Sequence, residues 1–338
     1  MKAVVVEEPG KAVLVDISEP SNKPGEALLQ VRMIGLCGTD LNTFRGKNPL
    51  VTFPRVLGHE VAATILHYES EEANGLREGT AVTLAPYTAC GQCASCLRGR
   101  PNACRSNQTL GVQRDGALTE RIAIPGEKLY SAQLSLKELC LVEPLTVGFH
   151  AIARGRVTAQ DTVAIFGCGG VGLGAISAAA FQGARVIAID MDEAKLEIAR
   201  KAGANECVHS GKENLHHRLN KLTDGRGPDC IIEAIGLTQT FRASVEEVAF
   251  TGRVVYIGYA KEPVAYETSL FVQKELDILG SRNALPEDFR EVIRMLEGHR
   301  FPVDDVISAV VPIEEAPEML RQWNANPAAF TKIMVQVS

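Results

Sequence analysis

The chain has 338 residues, 46% of them hydrophobic and 22% charged, with a net charge of −6. These are ordinary globular proportions, which exclude a disordered chain and make two domains the expectation for this length. The acidic balance argues against nucleic acid as a partner, and no run of about 18 apolar residues exists to cross a membrane.

The opening Met1-Lys2-Ala3-Val4-Val5-Val6 turns acidic at Glu7-Glu8, too soon for a secretion signal. Nine cysteines, an odd number in a long chain without such a signal, point to a reducing cytoplasm and to metal binding rather than disulfides. Apolar runs at 3–6, 12–17 and 27–33 are separated by Pro9-Gly10 and Pro24-Gly25, and runs at 60–67 and 80–84 continue the pattern. That spacing predicts a mostly β domain whose loops carry the polar residues.

Near residue 145 the pattern changes. Strands are expected at 162–166, 185–189, 230–234, 253–257 and 276–279, with helices at 171–182, 193–201 and 286–297 and a last strand at 332–337. Alternating strands and helices imply an α/β, doubly wound parallel sheet. The expected division is 1–144 for the β domain, 145–282 for a Rossmann domain, and a segment 283–338 returning to the first.

Phe166 ends a strand and is followed by Gly167-Cys168-Gly169-Gly170-Val171-Gly172, a G-x-G-x-x-G in its required setting of strand before and helix after. Gly167 turns the chain, Gly169 admits a pyrophosphate, and Gly172 lets helix and strand pack closely. The helix N-terminus offers N–H groups to phosphate. The next strand ends at Asp190, placed to accept both ribose hydroxyls and to repel a 2′-phosphate, so NAD is expected over NADP. Asp192 competes for that role from beyond the strand end.

Cys90, Cys93, Cys96 and Cys104 are spaced C-x2-C-x2-C-x7-C. Four thiolates suit a closed, structural zinc site. A ferredoxin-type iron-sulfur run would place its fourth cysteine after three residues and follow it with Pro, whereas here the gap is seven and Arg105 follows. A second group is dispersed: Cys37 in Gly35-Leu36-Cys37-Gly38-Thr39-Asp40, His59-Glu60 after Gly58, and Glu143 before Pro144-Leu145. Singly, a cysteine is a small buried hydrophobe. In company with a zinc-type loop and a dinucleotide fold, a thiolate, an imidazole and a carboxylate or water make an open zinc site.

On these motifs the chain resembles the zinc-containing medium-chain alcohol dehydrogenases over its whole length, and within them the polyol, threonine and sugar-acid branch. Leu110-Gly111-Val112, Asp115-Gly116 and Gly280-Ser281-Arg282-Asn283-Ala284 resemble sugar-acid members. The resemblance implies a GroES-like catalytic domain, two Zn²⁺ per chain and a homodimer or homotetramer. It implies catalytic zinc on Cys37 and His59, with Glu60 and Glu143 as carboxylates at or beside the metal. Thr39 would pass the hydroxyl proton, Asp40 would orient the ligands, and Arg282 would line the substrate site. Val171, Asp190 and Lys195, with Gly170, would lie along the adenosine side of NAD. Two departures stand out: Asn42 and Gln113 occupy places where relatives often carry His.

The expected activity is hydride transfer from a secondary alcohol of a small, L-galactonate-like sugar acid to NAD. Polyol, polyol-phosphate or threonine oxidation is the alternative within the class, and a catalytically silent NAD-binding regulator the alternative outside it. His150 is expected to be a structural helix residue between domains, and Cys168, in the glycine loop, to be open to oxidation.

Overall fold

The strand Glu26–Leu36 shows how the first unit is built. It alternates buried and half-exposed side chains until Met33, and is then buried continuously through Leu36. That change from one covered face to two occurs where the strand becomes central. Lys332–Gln336 pairs with it on one side, with Ile333 opposite Leu36, and Glu60–His67 on the other, with Gly35 opposite Glu60. Three adjacent antiparallel strands therefore bring Lys332, Cys37 and Glu60 to one end of a seven-stranded sheet.

The structure is a computed structural model that describes residues 1–69 and 75–337. Its contacts divide the chain into Met1–Glu143 with Val303–Ser338, and Pro144–Pro302. The first unit holds the seven-stranded sheet and a three-stranded one centred on Lys2–Glu8. Its core includes Leu29, Val31, Ile34, Phe44, Val61, Leu118 and Leu320.

The second unit is a six-stranded sheet in which every pairing is parallel. In spatial order the strands are Glu206–His209, Arg185–Asp190, Thr162–Phe166, Cys230–Glu233, Arg253–Tyr256 and Asp277–Gly280. Numbered by sequence within the unit this is 3-2-1-4-5-6, and the order reverses between Thr162–Phe166 and Cys230–Glu233. Both of these strands are buried along nearly their whole length, as a sheet covered on two faces requires. Gly170–Phe181 is a helix of small residues, buried from Gly172 to Ala179.

The return to the first unit comes at Val303 rather than at residue 283. The helix Pro286–Glu297 stays with the second unit, where Asp288 accepts from the amide of Leu285 and lies 2.9 Å from Nδ1 of His150. His150 is thus buried, and Asp288 belongs to the same unit. Among the described residues, no helix is long and apolar enough to cross a membrane.

Candidate active site

The four lobe cysteines lie in one loop. Cys93 opens the short helix Ala94–Leu97, and Cys104 follows the turn Pro101–Ala103. All four sulfurs lie within 4.8 Å of one another, with Cys93–Cys96 at 3.5 Å and Cys93–Cys104 at 3.8 Å. A tetrahedron of thiolates about zinc has edges of about 3.8 Å, from a Zn–S bond near 2.3 Å. The lobe therefore fits a closed zinc site before any metal is placed. The Ser95 hydroxyl and the amides of Cys96 and Arg105 pull the Cys93 thiol down to about 5.

The second cluster joins Cys37, His59 and Glu60, whose ligand atoms also lie within 4.8 Å of one another. His59 and Glu60 are buried and Cys37 half-buried. Cys37 precedes the helix Gly38–Phe44, and its amide donates to Oδ2 of Asp40 at 2.8 Å. The Gly58 amide donates to Oδ1 of the same carboxylate at 3.3 Å. Asp40 thus orients the site through the backbones on either side of it. Its distance to Nδ1 of His59 is 4.0 Å, too long for a hydrogen bond.

Glu60 reaches its place because Gly35 has no side chain: a Cβ there would stand 2.0 Å from Oε2. Both Glu60 oxygens accept from Nζ of Lys332, at 2.6 and 2.7 Å, in a pair almost wholly buried. The Cys140 thiol donates to the Glu60 carbonyl at 3.3 Å. Glu143, on the helix Leu136–Arg154, is buried and accepts from the Tyr87 hydroxyl, standing outside the 4.8 Å cluster. Burial and the neighbouring Glu143 push Tyr87 well up, so it remains a donor. The Thr39 hydroxyl is 3.7 Å from the Cys37 sulfur.

The field of this pocket favours a cation. Burial opposes a charged His59, yet the charges of Asp40, Cys37 and Glu143 override it and raise the imidazole well above its usual value. His59 Nδ1 is also buried with no hydrogen-bond partner among the described residues. An acid-rich pocket with a cysteine sulfur and an imidazole nitrogen that has no partner among the described residues has the donor set of catalytic zinc.

In the nucleotide unit, Gly172 is required by packing, since a Cβ there would meet the Gly167 carbonyl at 1.8 Å. A Cβ on Gly169 would meet nothing within 4 Å, so that glycine leaves open space where the loop turns into its helix. Asp190 accepts from the amides of Cys168, Met191 and Asp192, which ties the glycine loop to the end of the neighbouring strand. Asp192 instead caps the helix Glu193–Lys201, accepting from the amides of Ala194 and Lys195. Val171 and Lys195 are half-buried beside this loop, Val171 in the first turn of the first helix and Lys195 in that of the second.

An alcohol dehydrogenase GroES-like domain model matches residues 23–133, and a zinc-binding dehydrogenase model matches residues 170–298. An uncharacterized zinc-type alcohol dehydrogenase-like protein of Haemophilus influenzae is 34% identical over 98% of both chains. The chain belongs to the zinc-type alcohol dehydrogenase family. The L-galactonate-5-dehydrogenase of Escherichia coli is 29% identical to this dehydrogenase over 94% of each chain. A solved Escherichia coli alcohol dehydrogenase complexed with NADH is 25% identical, covering 100% of this chain and 99% of its own, with a TM-score of 0.91.

One expectation changes against this geometry. The thiol of Cys168 is fully buried, and burial pushes it up, which removes the thiolate that oxidation needs. Gln113 accepts from the Thr109 amide at 2.8 Å, so its side chain is engaged in its own loop, and Asn42 is exposed on its helix. Arg282 is exposed just after the strand Asp277–Gly280. Cβ atoms on Gly111 and Gly116 would collide with the backbone of Leu57 and Gly58, so the 110–116 block shapes the loop that presents His59. Sequence reasoning missed Lys332, Tyr87 and Cys140. Only Lys332 left a signal, as a lysine opening the apolar run Ile333-Met334-Val335.

Proposed function

We propose that this dehydrogenase oxidises a secondary alcohol of a small sugar acid with NAD. The observation that carries the reading is the mixed cluster of Cys37, His59 and Glu60. Zinc held there by Cys37 and His59 would supply the Lewis acidity that lowers the pKa of an alcohol, and NAD would supply the hydride acceptor. Glu60 and Glu143 provide the carboxylates beside it. They are differently restrained, Glu60 by a cation and Glu143 by a neutral hydroxyl.

The Thr39 hydroxyl takes the substrate proton and passes it outward. Asp40 keeps Cys37 and the His59 loop in register while that happens. Asp190 selects NAD, because its carboxylate would repel a 2′-phosphate. Gly167, Gly169, Gly170, Val171 and Lys195 complete the nucleotide cradle, and Arg282 supplies the positive charge that a carboxylate substrate needs. A second zinc would be held by Cys90, Cys93, Cys96 and Cys104 of the lobe. A homodimer or homotetramer is supported by the outermost strand Asp277–Gly280, one edge of which pairs with no other strand among the described residues and which exposes Ile278.

The test is NADH formation over a panel of sugar acids, polyols, polyol phosphates and threonine, with metal content measured in parallel. Saturable turnover of a sugar acid and about two zinc per chain are expected. Saturation by polyols alone overturns the substrate assignment. About one zinc per chain with no turnover identifies a silent nucleotide-binding protein.

A further inference from the structure

Glu233 is fully buried at the C-terminal end of Cys230–Glu233, on one side of the point where the strand order reverses. Its register partner across that point is Phe166, the residue before the glycine loop. A carboxylate with no cation on it is an expensive group to bury, and such groups need a full set of donors.

Glu233 has them on one side only. Oε1 accepts from the amides of Ile235 and Gly236, at 2.9 and 2.8 Å, and from the Thr240 hydroxyl at 2.7 Å. Its backbone carbonyl accepts from the amides of Ile257 and Gly258, at 2.9 and 3.1 Å. Oε2 is buried, meets no donor among the described residues, and faces Gly258, where a Cβ would stand 2.5 Å away.

One residue therefore gathers the loops that leave two adjacent strands, the first of which borders the switch point. The first of these loops is a wall of the phosphate cradle. A Cβ on Gly167 would stand 2.7 Å from Ile235 and 3.4 Å from the Ala234 carbonyl. Ligands of open α/β sheets bind outside the carboxyl ends of the strands at this reversal. Nothing in the packing of the sheet itself requires a charged residue there, since the other residues of the strand, Cys230, Ile231 and Ile232, are buried and uncharged.

We propose that Glu233 is a positioning residue for the dinucleotide, holding the 234–240 loop and the 257–258 turn in the shape the cofactor binds. It acts through the two loops and does not itself contact the reacting atoms. The inference rests on the nucleotide-binding reading above.

Glu233→Gln keeps the size of the side chain and removes its charge. NADH affinity, read by fluorescence titration of the purified full-length protein, is expected to weaken about tenfold or more, the size of one lost charge-assisted hydrogen bond. KM for NAD should rise in step while kcat at saturating NAD stays within about twofold. In hydrogen exchange, the amides of Ile235 and Gly236 should lose protection while those of the strand Arg185–Asp190 keep it. Thr240→Val, which leaves the charge in place and removes one donor, should show the same pattern at a smaller size and covers the case in which Glu233→Gln does not fold. Wild-type NADH affinity in both variants overturns the proposal. So does a loss of protection spread evenly over the sheet, which marks a purely structural role. If the unaltered protein itself binds no NADH, the nucleotide reading has failed, and that outcome is distinct from either.

Discussion

The two clusters of this dehydrogenase that could hold a metal are built on opposite plans. The lobe takes four like ligands from fifteen consecutive residues, Cys90 to Cys104, and its loop alone brings the sulfurs within 4.8 Å of one another. The catalytic cluster takes a thiol, an imidazole and a carboxylate from two separate segments, and it needs a third segment, at Lys332, to hold the carboxylate. A closed site with identical donors is a local property of the chain. An open site with mixed donors is a property of the sheet, because its ligands must be held apart from one another and from their counter-charges.

Breaking one site at a time is the sharpest test of that contrast. Cys37→Ala should lower turnover by about a thousandfold or more, because the Lewis acid loses its thiolate, and should leave the lobe metal in place. The measurement is kcat with zinc content per chain. Full turnover in this variant would end the assignment of the cluster.

Cys96→Ser should do the reverse. It removes lobe zinc, lowers the unfolding midpoint, and destabilises by several kcal/mol, since a structural metal contributes folding energy directly. Turnover per intact catalytic site should persist at low temperature.

Lys332→Met leaves Glu60 as an unpaired charge in a nearly dry place. It should destabilise the first unit by about 3–5 kcal/mol in denaturant titration, and adding Glu60→Gln should recover part of the loss. If the single variant is as stable as wild type, the buried ion pair does not hold the sheet end together as described.

Asp190→Ser should move cofactor preference toward NADP by about tenfold in the ratio of kcat/KM values. Because Asp190 also ties down three amides, the affinity for NAD should fall as well.

The smallest effect concerns Asp161. Burial pushes its carboxyl up, but the Arg253 guanidinium and the Thr158 amide outweigh this and hold it below the usual value. A depressed carboxylate stabilises the fold at pH above its unfolded value near 4, and the contribution is lost as pH falls through the lower, folded value. Asp161→Asn should therefore cost a little stability at neutral pH and flatten the acid side of the stability profile, read as Tm against pH.

Much of this was legible in the sequence. The cysteine spacing gives the lobe because four thiolates in a short loop have few other uses. The glycine loop is legible because its roles are local: the tight turn, and the close approach that makes a Cβ on Gly172 impossible. Strand positions in the nucleotide unit are close to those expected, since buried parallel strands are continuous apolar runs. The short strand Glu206–His209, with its polar ends, gave no such run and is known only from its pairing with Arg185–Asp190.

What the chain determines by itself is therefore the set of chemical groups and the local turns that present them: thiolates, an imidazole, carboxylates and a phosphate-binding loop. Only the tertiary structure decides which groups share a site and what charge each one faces. Lys332 lies 272 positions from Glu60 along the chain and meets it because Lys332–Gln336 and Glu60–His67 flank the same strand. Strand order and register are set by the burial of whole faces, a sum over many residues, and no single spacing in the sequence records it.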